Sequence, residues 1–510
     1  MSVLRWPQAA LISAMLLPVG CATVDARRDY QHTGAEVESA IGHTPLGNPE
    51  DISVGDAATT ELLVGGLTAD ESVKLALLNN PRARAVLVQV GMARADVVQA
   101  GLWSNPTVGF SFRFPEGGGL ANFEASLAQN IADLWMIPAR SRAAERDLDR
   151  MTLEVARELV SIAIDTKVAY FNAVASDDAL AIANDNVSLT KQLLQITEAR
   201  LEAGTVGSLD VNLAKGQALR AEVDLRTARL ESATTRRTLA VLLGLTESAE
   251  GLQLVDPLPL PLEGALGVDR YVNIALDARL DARAARDAVE AAAARVEFEI
   301  AKVFPNVEIG FELERGERRA QPGRNVLADT ARTSIANGNL TAPEIESRGQ
   351  RRLEKSQEIE AILGPSLSLT LPVFDQNQAQ IAKARMSYLE AKALLDALER
   401  SIVQETREAA DRLASAWDVA TLYQQQVLPQ AQETLELSEA TYQSGQTTIL
   451  NVIDAQRSLL ETRRANLAAL QHAAGALAEL ERATARPIGE LLQEGGATTQ
   501  PADSQPAVEE

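Results

Sequence analysis

The sequence is poor in the residues that most chemistry needs. It has one cysteine, Cys21, and three histidines, His32, His43 and His472, spread along 510 residues. Neither a disulfide framework nor a zinc site can be assembled from that set. Glycine-rich phosphate loops are missing and no polar constellation converges, so the expectation is a protein without enzyme activity, cofactor or bound metal. Positive charge is also short: 48 Lys and Arg stand against 70 Asp and Glu, a formal net charge of -22. A polyanion gains nothing by approaching phosphates, which argues against a nucleic-acid partner. Aromatics make up only 4% of the chain. Beyond the N-terminus, no apolar run approaches the roughly 20 residues of a membrane-spanning helix.

What is present begins with an address. Arg5 precedes an apolar run from Ala9 to Leu17, followed by Pro18, Val19, Gly20 and Cys21. A short basic region before a hydrophobic stretch too brief to span a bilayer is a targeting signal. The segment resembles a bacterial lipoprotein signal, which implies removal of residues 1–20 and acylation of Cys21 as the first mature residue. Ala22, rather than aspartate, then implies sorting to the outer membrane. The alternative is an ordinary secretory signal with an incidental cysteine.

The remaining chain repeats itself, an arrangement to be sought before local structure. Residues 73–108 match 272–307 at an offset of 199, with identities such as Ala83/Ala282, Arg84/Arg283, Val97/Val296 and Pro106/Pro305. The run from Glu198 to Gly204 matches Glu439 to Gly445 at an offset of 241, and Leu209, Val211 and Ala214 fall on Leu450, Val452 and Ala455. The additional residues of the second copy fall between about Arg315 and Gly364, where a helix is predicted over Glu354 to Leu363. The chain thus divides into an extended N-terminal arm at 21–66, a first repeat at 67–255, a Pro-rich joint at 256–264, and a second repeat at 265–490. A disordered acidic tail follows at 491–510.

Each copy has the same order of elements. A helix opens near Thr68, with Glu71 completing a capping box; Asp269 is the cap expected in copy two. After Pro106 the apolar period switches to two: Val108, Phe110, Phe112 and Phe114 in copy one, and Val307, Ile309, Phe311 and Leu313 in copy two. Returning strands are predicted at 123–129 and 366–373, giving hairpins at about 106–130 and 306–373. These lengths approach the roughly 9–11 residues of a tilted transmembrane strand, although a small soluble sheet with one wet face would share the alternation. Residues 139–203 and 373–428 contain neither Gly nor Pro, which predicts long helices packed as antiparallel coiled-coil hairpins that turn at Gly204 and Gly445. Four strands cannot face lipid as an open sheet, because their edges would go unsatisfied. Three chains closing a twelve-stranded barrel would answer that problem.

The duplicated plan, Asn105-Pro106 before the first strand, the run from Leu371 to Asn377 after the fourth and the run from Tyr442 to Gln456 resemble the TolC family of outer-membrane efflux proteins. The segment from Phe374 to Gln378 is most similar to the cobalt–zinc–cadmium efflux branch. The resemblance implies a mainly α fold with a small transmembrane β part: a homotrimer with a 12-stranded barrel above an α-helical periplasmic barrel. It implies a passive conduit for small molecules or metal cations, served by a periplasmic adaptor protein and an inner-membrane efflux pump. It further implies a pore constriction at Asp210, Asp454 and Asn451. The adaptor would meet the hairpin tips at Gly204, Leu209, Val211, Tyr442, Gly445, Leu450 and Val452. Thr447 stands where the family has an arginine partnering the tyrosine at Tyr442. For Asp210 and Asp454 the plain alternative is a solvated helix surface, and for the tips simple turn and core packing. The rival function is a lipid-anchored periplasmic scaffold or adaptor with no barrel.

Overall fold

The structure, a computed structural model, describes residues 22–42, 65–114, 121–245, 251–260, 267–317, 334–338, 359–489 and 491. Cys21, the tail and most of the 315–364 insertion lie outside the described residues, as does part of the Pro-rich joint. The elements run α1 (Arg27–Ile41), α2 (Ala69–Asn79), α3 (Pro81–Gly101), β1 (Thr107–Arg113), β2 (Asn122–Asn130), α4 (Asp133–Glu202) and α5 (Ser208–Leu242). Copy two continues with α6 (Val268–Ala278), α7 (Leu280–Ala301), β3 (Asn306–Glu317), β4 (Ile359–Thr370), α8 (Gln378–Leu422), a π-turn (Tyr423–Val427), α9 (Leu428–Gln443) and α10 (Ile449–Thr484). Contacts divide the chain into a helical unit (Met1–Val98, Ala144–Ala292, Ser387–Glu510) and a second unit holding the strands (Gln99–Ala143, Ala293–Met386).

The helical unit is built on alanine. Buried alanines such as Ala156, Ala163, Ala173, Ala474 and Ala478 recur along α4 and α10, and small side chains let helix axes approach closely. α4 runs for 70 residues without interruption, about 105 Å at 1.5 Å per residue. The capping box at α2 forms as the sequence predicts. Thr68 Oγ1 accepts from Glu71 N at 3.1 Å, and Thr68 N donates to Glu71 at 2.9 Å. The Thr68 N–H and the Thr68 hydroxyl both donate to the Glu71 carboxylate and hold it below its ordinary range. In copy two, Gly267 rather than Asp269 occupies the cap position, and Asp269 lies in the first turn.

A buried tyrosine closes copy one. Tyr170, with no exposed surface, donates to Leu67 O at 2.9 Å and accepts from Asp256 N at 2.9 Å. A parallel bridge between Leu67 and Leu254 lies beside it. The two ends of the repeat therefore meet on one hydroxyl.

The arm differs from the expectation of an extended segment, since Arg27–Ile41 is helical. The reason is tertiary. Arg94 clamps Asp29 with two hydrogen bonds, Arg283 does the same to Glu36, and Val37 is buried in the largest core cluster. α1 is thereby held against the corresponding helices of both copies.

In the second unit the four strands form one antiparallel sheet in the order β1-β2-β3-β4. Val108 faces Leu127, Leu127 faces Phe311 and Ile309 faces Leu367, which fixes one apolar face in register. β4 begins seven residues earlier than the sequence suggests, because Ile359 to Leu363 extend the ladder opposite Glu317 to Leu313. This replaces the first five of those residues in the helix predicted over 354–363; backbone pairing to β3 outweighs their helical propensity.

Candidate functional site

The two hairpin tips are built alike. Gly204 and Gly445 take left-handed backbone, at φ +71° and +78°. The following residue folds back: Thr205 N donates to Arg200 O and Gln446 N to Thr441 O, both at 2.9 Å. This six-to-one closure requires a residue free of Cβ strain at the turn, which is why glycine stands there in both copies. Beyond the turns, α5 and α10 begin.

Asp210 and Asn451 sit in the first turns of those helices and Asp454 in the second turn of α10, in unequal settings. Asp210 accepts from Gly207 N at 3.4 Å and so helps cap α5. Asp454 is exposed on α10, and the amide of Asn451 is hydrogen-bonded to the Thr447 hydroxyl. Of the expected tip residues, Leu209 and Leu450 are exposed, while Tyr442 and Val452 are buried in a cluster with Leu193, Ala214 and Ile453. That corrects the expectation for these two: they pack the tip from within and offer no surface to a partner.

Tyr442 does have a cationic partner, supplied by the other copy. Arg200 donates from Nη1 to Tyr442 O at 2.9 Å, and its guanidinium lies 4.5 Å from the ring centroid. Sequence reading missed Arg200, because it searched the tyrosine's own tip and found Thr447. Its position in the run from Glu198 to Gly204, which matches the tyrosine's own run, is the signal that was available. Further up the hairpins, Arg464 of α10 pairs with Asp224 of α5 at 2.8 Å. A cavity of about 460 Å3 opens there among Thr190, Leu219, Val223, Ile453, Gln456 and Leu460.

In the strand-bearing unit, most side chains divide between an apolar and a polar face, with Ile362 opposite Glu314 and Arg315 opposite Phe123 as exceptions. Phe110, Phe112, Leu363 and Leu367 are exposed on one. The other carries Glu124, Ser126, Glu308, Glu312, Glu314, Ser366 and Ser368, with Glu124 directly opposite Glu314 and paired to Arg113 at 2.7 Å. Like charges facing each other across strands are unfavourable unless water or a cation lies between them. Glycines keep this polar face thin; a Cβ at Gly310 would strike Leu127 O at 2.7 Å. Among the described residues, no group of three metal-ligating side chains converges, and no helix is long and apolar enough to cross a membrane.

The repeats, the tips and the two-faced sheet coincide with a known pattern: the outer membrane efflux protein family matches residues 72–245 and 271–486. The chain belongs to that family. It is 26% identical over 500 residues to the pyoverdine export outer membrane protein OpmQ of Pseudomonas aeruginosa, covering 91% of this chain and 94% of that protein. It is 23% identical to the cobalt-zinc-cadmium resistance protein CzcC of Cupriavidus metallidurans, over 68% of this chain and 73% of the relative. The fold matches the outer membrane protein VceC of Vibrio cholerae with a TM-score of 0.61 and 19% identity, covering 82% of this chain and 96% of that one. As an outer membrane efflux protein, the chain is an outer-membrane component of an efflux system that extends into the periplasm. The family consists of channel proteins rather than enzymes. Membership favours an efflux channel over the scaffold or adaptor.

Proposed function

We propose that three copies of this chain assemble into a passive conduit, each giving four strands to a twelve-stranded barrel. The observation that carries this reading is the two-faced sheet with open edges. Phe110 and Phe112 keep 66% and 62% of their surface while the opposite face is acidic. Among the described residues, β1 and β4 each lack a neighbour on one side. Lipid can cover the first face and water the second, but only further strands can satisfy the edges. One chain is too narrow to close around an aqueous pore, since even eight-stranded barrels are filled by side chains.

Under this reading a periplasmic adaptor protein meets the exposed tip residues Leu209 and Leu450, and an inner-membrane pump supplies the energy. Asp210 and Asp454 ring the narrow end with carboxylates, which favour cations and repel anions, while Asn451 lowers the charge of that ring. Cys21 carries the acyl anchor. Cargo is small, either a metal cation or an organic molecule, and is selected by the pump. Relatives named for pyoverdine export and for metal resistance match at comparable identity.

The test is native mass spectrometry of the detergent-extracted mature protein, followed by bilayer recording. The expected result is a trimer with acyl mass on each chain. Its cation preference should fall in the Asp210→Ala/Asp454→Ala variant. A monomer released without detergent would overturn the barrel, and unchanged ion selectivity would remove the two acids from the pore.

A further inference from the structure

The joint between the two copies inside one chain shows how their helices pack side by side. There α10 lays one stripe on copy one. Arg464 donates to Asp224 at 2.8 Å, Gln471 to Asn172 at 2.8 Å and Arg482 to Ser161 at 3.0 Å. Leu460 lines the cavity beside Thr190. Positions 460, 464, 471 and 482 fall within about 40° of one direction around a helix of 3.6 residues per turn.

The copy-one counterpart of α10 is α5, which runs 241 residues earlier: Gly204 answers Gly445, and the buried Leu239 answers the buried Leu480. The matching stripe on α5 is Leu219, Val223, Leu230 and Val241. It is bare, since these side chains keep 55%, 61%, 65% and 71% of their surface. Where α10 presents two arginines and a glutamine, α5 presents large aliphatic groups along the same line. A row of that kind on one side of a helix otherwise rich in Arg and Glu marks a face that another element covers.

The ground that corresponds to copy one's side of the joint has changed in the same sense. Thr190 and Asp224 become Ala431 and Ala465 at the 241 offset. Asn172 becomes Arg412, because α4 and α8 run 240 apart where the buried Ile162, Thr166 and Ala169 match the buried Ile402, Thr406 and Ala409. The Arg412 guanidinium is engaged by Glu408 and Glu479, at 3.1 and 3.0 Å. Beside it a cavity of about 550 Å3 opens between α8 and α10, walled by Ala416, Val419, Tyr423, Ala465 and Ala469. Polar groups meet across the joint within the chain, and apolar groups stand on both of the equivalent free sides.

We propose that the cavity between α8 and α10 receives α5 of a second copy, with Leu219, Val223 and Leu230 in the places that Leu460, Arg464 and Gln471 take on copy one. The seam within a chain is then polar and the seam between chains apolar. The difference has a physical reason. A joint inside one chain forms as the chain folds, whereas separate chains lose translational and rotational freedom on meeting, and apolar burial offsets that cost. The seam rests on the conduit reading in requiring more than one copy; it adds where the copies touch and by what chemistry.

Crosslinking in membranes tests it, with the parent chain, which has Cys21 alone, as the blank. Chains carrying Val223→Cys and chains carrying Ala465→Cys, co-expressed and treated with a short bis-maleimide, should give a covalent dimer that neither gives by itself. Asp224→Cys/Arg464→Cys, at the joint within a chain, should stay at the monomer position. A trimer by native mass spectrometry without the co-expression dimer would overturn the seam and leave the conduit standing, whereas a monomer would overturn both. Capture of a different protein at either cysteine, in place of a second copy, would hand the cavity to an adaptor and also overturn the seam. Exchanging the chemistry gives an independent readout. Val223→Arg places an unpaired charge in an apolar seam and should lower the trimer fraction roughly tenfold. Adding Ala465→Asp rebuilds the pair found within the chain and should restore the fraction to within about threefold of the parent. An unchanged trimer in the single variant, or no recovery in the double one, would count against the seam as decisively as a missing crosslink.

Discussion

In the helical unit Tyr170, Leu159 and Leu239 have lost all contact with solvent, whereas in the sheet the large side chains of one whole face remain open. The helices bury an alanine-rich seam within one chain and leave single large side chains such as Leu219, Val223, Leu230 and Leu394 exposed along their outer faces. The strands complete only their ladder hydrogen bonds, and only between neighbours. Apolar surface is therefore mostly internal in the first unit, while in the second it faces outward. A protein so divided has one part specified by its own sequence and another specified together with its surroundings.

The comparison can be broken most severely at the sheet. Phe112→Arg places a charge on the apolar face, at a cost of about 2–4 kcal/mol per chain in the middle of a bilayer. Membrane assembly should be lost while the helical circular dichroism signal persists; normal assembly would put the face assignment in error. The helical unit should respond in the opposite way to Tyr170→Phe. That change strips the Asp256 N–H of its acceptor in a buried position, worth about 1–3 kcal/mol. The denaturation midpoint should fall with insertion unaffected. At the tips, Arg200→Ala removes a cation over an aromatic ring and a hydrogen bond, about 1–2 kcal/mol. Channel opening in bilayers should become more frequent, and an unaltered open fraction would show the contact to be packing alone.

The smallest effect concerns pH. Glu71 is held below its ordinary range by the donors of Thr68. Its contribution is present above the unfolded glutamate value near ~4.3 and is lost as pH falls through the lower folded value. Acid should loosen the start of α2 ahead of the sheet. Thr68→Ala should weaken that pH dependence without abolishing it, because the backbone N–H of residue 68 still donates to Glu71, at a cost of about 1 kcal/mol, read from melting at pH 7 and pH 3.

Much of this division was legible in the sequence. Phe110 and Phe112 alternate with Gly109, Ser111 and Arg113, and that period leaves no other assignment for β1. Gly204 marks its turn because it ends a long stretch without helix breakers, and Gly445 because it holds the matching place in the second copy. The failures share a physical cause, which is that the deciding contact is remote. Arg27 to Ile41 looks like an arm until Arg94 and Arg283 close on its acids. Residues 359–363 read as a helix until β3 offers a ladder. Arg200 is unremarkable until Tyr442 arrives from the other copy.

The hydroxyl of Tyr170 has one more consequence. It brings Leu67 and Asp256 side by side, so the first copy begins where it ends. A module with adjoining termini can be joined head to tail with another like itself across a short connector, and the prolines after Asp256 supply one. Duplication in such a case asks little of the gene beyond the copying, and each half is then free to drift. One half has kept an uninterrupted helix while the other carries a π-turn at Tyr423–Val427.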